Sequence, residues 1–174
     1  MTNSLTIRSL SMGYLQSEDR LWVRLVIADD TQRQIWITRY LTEKLIQGLA
    51  ELLQASYQQV PLPFPIDRET GLKFEHEEAT QLKADASAGQ TGKDLQKPAD
   101  DEGLCLNIEI KKIADFQWQL TWNTAQKTAY TMQPNRIEMH QLLQSMLRQQ
   151  QRANWCIAHQ HDWLLHDSVS AAHS

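Results

Sequence analysis

Arg33 to Gln59 reads RQIWITRYLTEKLIQGLAELLQASYQQ, and its patterning turns from strand to helix within a few residues. Ile35, Trp36 and Ile37 are residue types that fit a pleated sheet. From Leu41 onward the apolar residues fall at Leu41, Leu45, Leu49, Leu52 and Leu53, with Ile46 widening the stripe, so they share one helical face. The run Pro61-Leu62-Pro63-Phe64-Pro65 ends the helix, because proline has no amide hydrogen and restricts the residue before it. A helix with a broad apolar face, delivered straight from a strand, packs onto the sheet that strand belongs to.

Upstream, Leu5–Met12 reads as a first strand. Leu21–Ala28 reads as a second, with Leu21, Val23, Leu25 and Ile27 on one face. Asp29-Asp30-Thr31-Gln32 supplies turn chemistry, and Arg33–Thr38 returns as the third strand. The same order recurs later. Leu104, Leu106, Ile108 and Ile110 alternate with polar partners, and Phe116, Trp118, Leu120 and Trp122 do so again. Lys127–Met132 gives a third strand. Asn135 then opens a helix as its N-cap, with Glu138 placed for a capping box and Ile137, Met139, Leu142, Leu143, Met146 and Leu147 as its stripe. The chain reads βββα, linker, βββα, about 99 residues between corresponding points. Three strands and one helix bury too little alone, whereas two such units can share a core. The expected fold is α+β: a six-stranded antiparallel sheet, continuous or split, with two helices on one face.

The expected organisation is a first βββα unit over 1–65, a flexible acidic linker over 66–103, a second unit over 104–155, and a His-rich tail over 156–174. Within the linker, scattered charges and glycines leave Leu72 and Phe74 as the main apolar anchors, too few to offset the entropy of ordering. A short helix around Glu75–Ala86 is compatible with the sequence. The net charge of −4 is uneven. Residues 1–65 are neutral, 66–103 carry −5, 104–155 carry +3 and the tail carries −2. Acidity therefore belongs to the linker and tail rather than to the folded units.

No run of about 20 apolar residues is present, and Met1 to Arg8 lacks the apolar core of a signal peptide, so the expected compartment is the cytosol. Cys105 and Cys156 have no paired spacing and read as reduced thiols. Gly89-Gln90-Thr91-Gly92-Lys93-Asp94 fails as a phosphate loop: its glycines are too close and no strand precedes it. No nucleophile–base–orienter set is legible, and no cofactor is implied.

Three groups of residues could carry a function. In the tail, Cys156, His159, His161 and His166 are ligand types for zinc or copper, although their spacing matches no structural zinc pattern. An amphipathic tail that docks Trp155 and Trp163 on the body accounts for the same residues. In the second unit, Lys111, Lys112 and Lys127 with Trp118, Trp122 and Tyr130 could bind single-stranded nucleic acid, the rings stacking bases if the open sheet face displays them. The βββα repeat order resembles that of the PurA and Whirly single-strand binders, whose units use four strands. Tryptophans alternating with leucines are more often core. The third group is the Gln- and Arg-rich exposed side of the last helix, which with six tryptophans in the chain suits contact with another protein or a second copy. A protein-interaction or assembly module is the favoured expectation, without enzymatic activity. Asp19, Arg20, Arg24 and Arg39 could also gather near the strand ends.

Glu18-Asp19-Arg20-Leu21, followed by Trp36-Ile37-Thr38-Arg39-Tyr40-Leu41-Thr42 and a late Gln-rich helix ending at Ala153-Asn154-Trp155, resembles a pattern in a group of short uncharacterised proteobacterial proteins. Tyr40 departs from that pattern, where a second arginine stands. The resemblance implies this fold and a bacterial cytosolic origin, and it carries over no catalytic residue.

Overall fold

The computed structural model describes residues 3–61, 67–87, 100–158 and 161–164. Strands β1 (Asn3–Leu15), β2 (Arg20–Ile27) and β3 (Gln32–Ile37) lead into helix α1 (Arg39–Tyr57) and then α2 (Arg68–Ser87). Strands β4 (Asp100–Ala114), β5 (Gln117–Thr124) and β6 (Thr128–Met132) lead into α3 (Arg136–Arg152). The two βββα units are therefore present, and α2 is an addition between them.

Within each unit the strands pair antiparallel, as a meander with short turns requires. The units meet in parallel: Asn3–Thr6 of β1 runs beside Thr128–Thr131 of β6, and Arg33–Trp36 of β3 beside Asp100–Leu104 of β4. These two junctions make the sheet mixed and close it into a six-stranded barrel. Closure removes the exposed strand edges that two separate three-stranded sheets would present.

The two units repeat with a constant offset. Three pairs of positions stand 97 residues apart. Asp19 and Phe116 hold left-handed backbone at the first turn of each unit, and Asp30 and Lys127 do so at the second. Thr38 and Asn135 are the N-caps of α1 and α3. Thr38 accepts from Leu41 N at 3.2 Å. Asn135 accepts from Glu138 N at 3.0 Å while its own amide donates to Glu138 Oε2 at 2.8 Å, completing the capping box.

One core serves both units. Leu21, Val23, Leu25, Ile35 and Ile37 of the first unit and Trp118, Leu120, Trp122 and Tyr130 of the second are buried with Leu49 and Leu53 of α1 and Met139, Leu143 and Met146 of α3. The helices pack on one another, and each also touches the opposite unit: α3 reaches β1 and α1 reaches β4. Gly13 lets β1 lie under the Trp22 ring, where any Cβ would collide with the indole.

The antiparallel sheet expected from the sequence is thus mixed, because the two units join through parallel pairs, and two further expectations change. Within the segment expected as a linker, Arg68–Ser87 is a 20-residue helix with Leu72, His76 and Ala79 buried, longer than the short helix over Glu75–Ala86 that the sequence allowed. Its apolar content is low because part of its buried face is polar and is satisfied by α3. Second, β4 starts at Asp100, four residues before the apolar alternation. Arg33 pairs with Asp100, and Trp36 Nε1 donates to Asp101 Oδ1 at 3.1 Å, so acidic side chains anchor the strand at the junction. Residues 88–99, including the glycine-rich stretch, lie outside the described residues. Among the described residues no helix is long and apolar enough to cross a membrane.

Candidate functional site

The chemistry-bearing side chains concentrate where α2 crosses α3. Arg136 is the first residue of α3, directly after the Asn135 cap, which aims its side chain at α1 and α2. The guanidinium pairs with both carboxylate oxygens of Glu75, the Nη2–Oε2 leg at 2.9 Å. It also donates to the Leu53 carbonyl at 3.0 Å and to the Ser56 hydroxyl. The Tyr57 and Phe116 rings flank it, at 5.4 and 5.9 Å from the guanidinium carbon. Phe116 holds left-handed backbone at the β4–β5 turn while making this contact. A buried arginine with these partners is an anchor, because its planar fork matches the carboxylate.

One turn along α3, His140 is fully buried, and its Nδ1 stands 3.0 Å from Nδ1 of His76 on α2. The other His76 nitrogen is 3.1 Å from Gln144 Oε1. His140 Nε2 is 3.6 Å from Glu75 Oε2, an electrostatic approach just beyond hydrogen-bond reach. Burial pulls the His140 imidazole below its ordinary value, against the opposing pull of Glu75. For Glu75, burial pushes the carboxyl up, but the His140 ring and the Arg136 guanidinium together outweigh it and hold the group below its ordinary range. Gln141 completes the interface by donating to the Ala79 carbonyl at 3.0 Å.

The tail lies over this network. After α3, Asn154 takes left-handed backbone and turns the chain back. Trp155 then packs edge-on to Tyr14, and its indole N–H donates to Asp19 Oδ1 at 2.7 Å. Tyr14 donates to the same oxygen at 2.8 Å. These bonds, Trp155 first, hold the Asp19 carboxyl below its ordinary value, with a smaller contribution from Arg39. Asp19 and Arg39 of the expected polar cluster thus come near each other, while Arg24 stands over Trp22 and Arg20 lies 4.0 Å from Glu18. Buried Gln150 donates to the Trp155 carbonyl at 3.2 Å. Trp163 is buried and sits edge-on to both His76 and His140.

Beside Trp163 a cavity of about 310 Å³ opens, lined by Asp67, Glu69, Thr70, Lys73, Phe74, Glu77 and Asp162. Phe74 at its lip is 58% exposed, unusual for a phenylalanine on a packed helix. Two turns on, Leu82 is also exposed. Four acidic groups face one lysine around the opening.

The residues singled out in the sequence fall as follows. Trp118, Trp122 and Tyr130 are core residues and offer no ring face to a base, so the stacking expectation fails: their alternation points them inward. Lys111, Lys112 and Lys127 are exposed on the surface, with Lys112 paired to Asp115 at 2.8 Å. Cys156 is exposed, and His161 Nδ1 lies 2.7 Å from Gln54 Oε1. His159 and His166 lie outside the described residues. Among the described residues no three His, Cys, Asp or Glu groups gather as a metal site. Cys105 is a buried thiol pushed up to about 12 by desolvation, so it is inert as a nucleophile. Sequence reasoning missed Glu75, His76, Arg136 and His140. The one available signal was the 97-residue offset, which sets Arg136 opposite Arg39, each just after a helix cap. Comparison with protein-family models, curated proteins and solved structures found no match.

Proposed function

We propose that this protein is a non-enzymatic interaction module whose docking face is the outer side of α2 with the Trp163 cavity. The observation that carries the reading is Phe74, a large apolar ring held in water at the mouth of a cavity. Exposed aromatic anchors beside pockets are what protein interfaces use as hot spots. The surrounding charge selects the partner. Asp67, Glu69, Glu77 and Asp162 against Lys73 favour a protein segment that carries basic residues around an apolar side chain. Arg136, Glu75, His76 and His140 then serve as the rigid support beneath that face.

The test is a crosslinking capture from native lysate with wild-type protein, Phe74→Asp, and a Lys111→Glu/Lys112→Glu pair. The reading expects a discrete protein crosslinked to the wild type and to the lysine variant, and lost from Phe74→Asp. Retention by Phe74→Asp contradicts it. A nucleic acid captured by the wild type and lost only from the lysine variant supports single-strand binding instead. Light scattering across concentrations distinguishes self-association through the same face.

A further inference from the structure

The His76–His140 contact lies beneath the proposed docking face, and its chemistry stands whether or not anything binds there. We propose that this contact is an acid-sensitive clasp: it holds α2 on α3 at neutral pH and releases α2 when both rings are protonated.

Two imidazole nitrogens 3.0 Å apart can hold one proton between them. In the neutral pair the protons are fixed by the surroundings. His140 Nε2 faces the Glu75 carboxylate, so it keeps its hydrogen there. His140 Nδ1 is then the bare acceptor, and His76 Nδ1 donates to it. His76 Nε2 is left as an acceptor, so in the neutral pair the Gln144 amide, whose Oε1 stands 3.1 Å away, turns over to offer its nitrogen. A first added proton goes to His76 Nε2, and a half-turn of the Gln144 amide presents its oxygen instead. A second proton has only His140 Nδ1 to occupy. That places two N–H donors head to head and two cations in contact, beside the Arg136 cation.

Among the groups around the pair only Glu75 favours a second charge, and burial outweighs it. On α2 the facing charge is Glu75, already engaged by both legs of Arg136. On α3 it is Arg136. Helix α1 presents Ser56, Tyr57 and the Leu53 carbonyl to the arginine and no charge. The tail brings Trp163, with His161 against its ring and Asp162 lining the same cavity. Because burial depresses the His140 imidazole, the folded chain takes up fewer protons than the unfolded chain as pH falls below about 6.5. Docking of α2 is complete above that value and weakens below it. The two rings titrate as a coupled unit rather than as independent sites.

Amide hydrogen exchange on the full-length protein between pH 7.5 and 5.0, corrected for the intrinsic pH dependence, reads the clasp directly. Protection over residues 71–81 falls more than tenfold at pH 5.0, while β2 and β5 keep theirs. His140→Gln, which cannot charge, reduces that change to less than threefold. An unchanged α2 in the wild type, or an equal loss in His140→Gln, overturns the proposal. A second measurement is independent of any variant: side-chain ¹⁵N shifts of His76 and His140 in the wild type. These show hydrogens on His76 Nδ1 and His140 Nε2 at pH 7.5 and two separated titration steps. Two ordinary, independent titrations near the unperturbed value overturn it equally.

Discussion

Arg136→Met removes the cation at the centre of the helix layer and leaves its partners in place. The methionine fills the space between Tyr57 and Phe116, so the loss falls on the polar groups rather than on packing. Glu75 keeps a carboxylate whose two oxygens lose their donors, and the Leu53 carbonyl and Ser56 hydroxyl lose theirs. Stripping one partner from a buried ion pair costs about 3–5 kcal/mol, because the remaining charge stays desolvated. Glu75 retains 26% side-chain exposure and can recruit water, which places this case near about 3 kcal/mol. Arg136→Lys keeps the charge but not the two-pronged geometry and loses about 1–2 kcal/mol. Urea denaturation at pH 7.5, followed by far-ultraviolet circular dichroism, measures both. The double variant with Glu75→Gln recovers about 2 kcal/mol relative to additivity, since the two side chains share one interaction. A loss under about 1 kcal/mol for Arg136→Met, or full additivity in the cycle, refutes the anchoring role assigned to this residue.

Leu49→Ala, at a fully buried position where α1 meets the core, costs about 3–5 kcal/mol in the same urea assay. Gly13→Ala forces the Trp22 ring aside and costs about 1–3 kcal/mol, seen also as a shift in tryptophan emission. Lys127→Gly relieves left-handed backbone at an exposed turn and raises the urea midpoint. Trp155→Phe removes the strongest bond to Asp19, so the carboxyl titrates higher by ¹³C NMR. The depressed Asp19 value favours the folded state above the unfolded value and is lost as pH falls through the folded one. That acid limb shrinks in Trp155→Phe.

What the sequence disclosed and what it hid divide along physical lines. Strands whose apolar residues alternate, such as Leu21–Ile27 and Trp118–Trp122, and helices whose stripe is apolar were legible because burial leaves a period in the chain. The cap Asn135 was local enough to read at its helix end, whereas Thr38 read as the close of a strand and its capping role showed only in the structure. Helix α2 was legible only as a short helix over Glu75–Ala86, and its packing was hidden because its inward residues Glu75 and His76 look like solvent-facing ones. Only Arg136 and His140, more than 60 residues on, turn them inward. The parallel junctions were hidden for a similar reason: Leu5 and Tyr130 pair across 125 residues, and nothing in either strand names the other. Asp100 and Asp101 read as linker, yet they bind Arg33 and Trp36 across a junction. The tryptophans invited a base-stacking reading that their own alternation with Leu120 argued against.

The two units close into one barrel rather than standing as separate sheets, and every shared contact above follows from that closure. Backbone nuclear Overhauser effects at the two junctions test this most directly. The barrel predicts parallel-strand contacts linking Leu5 with Tyr130 and Arg33 with Asp100. Antiparallel Hα–Hα contacts at those positions, or none between the units, would contradict it.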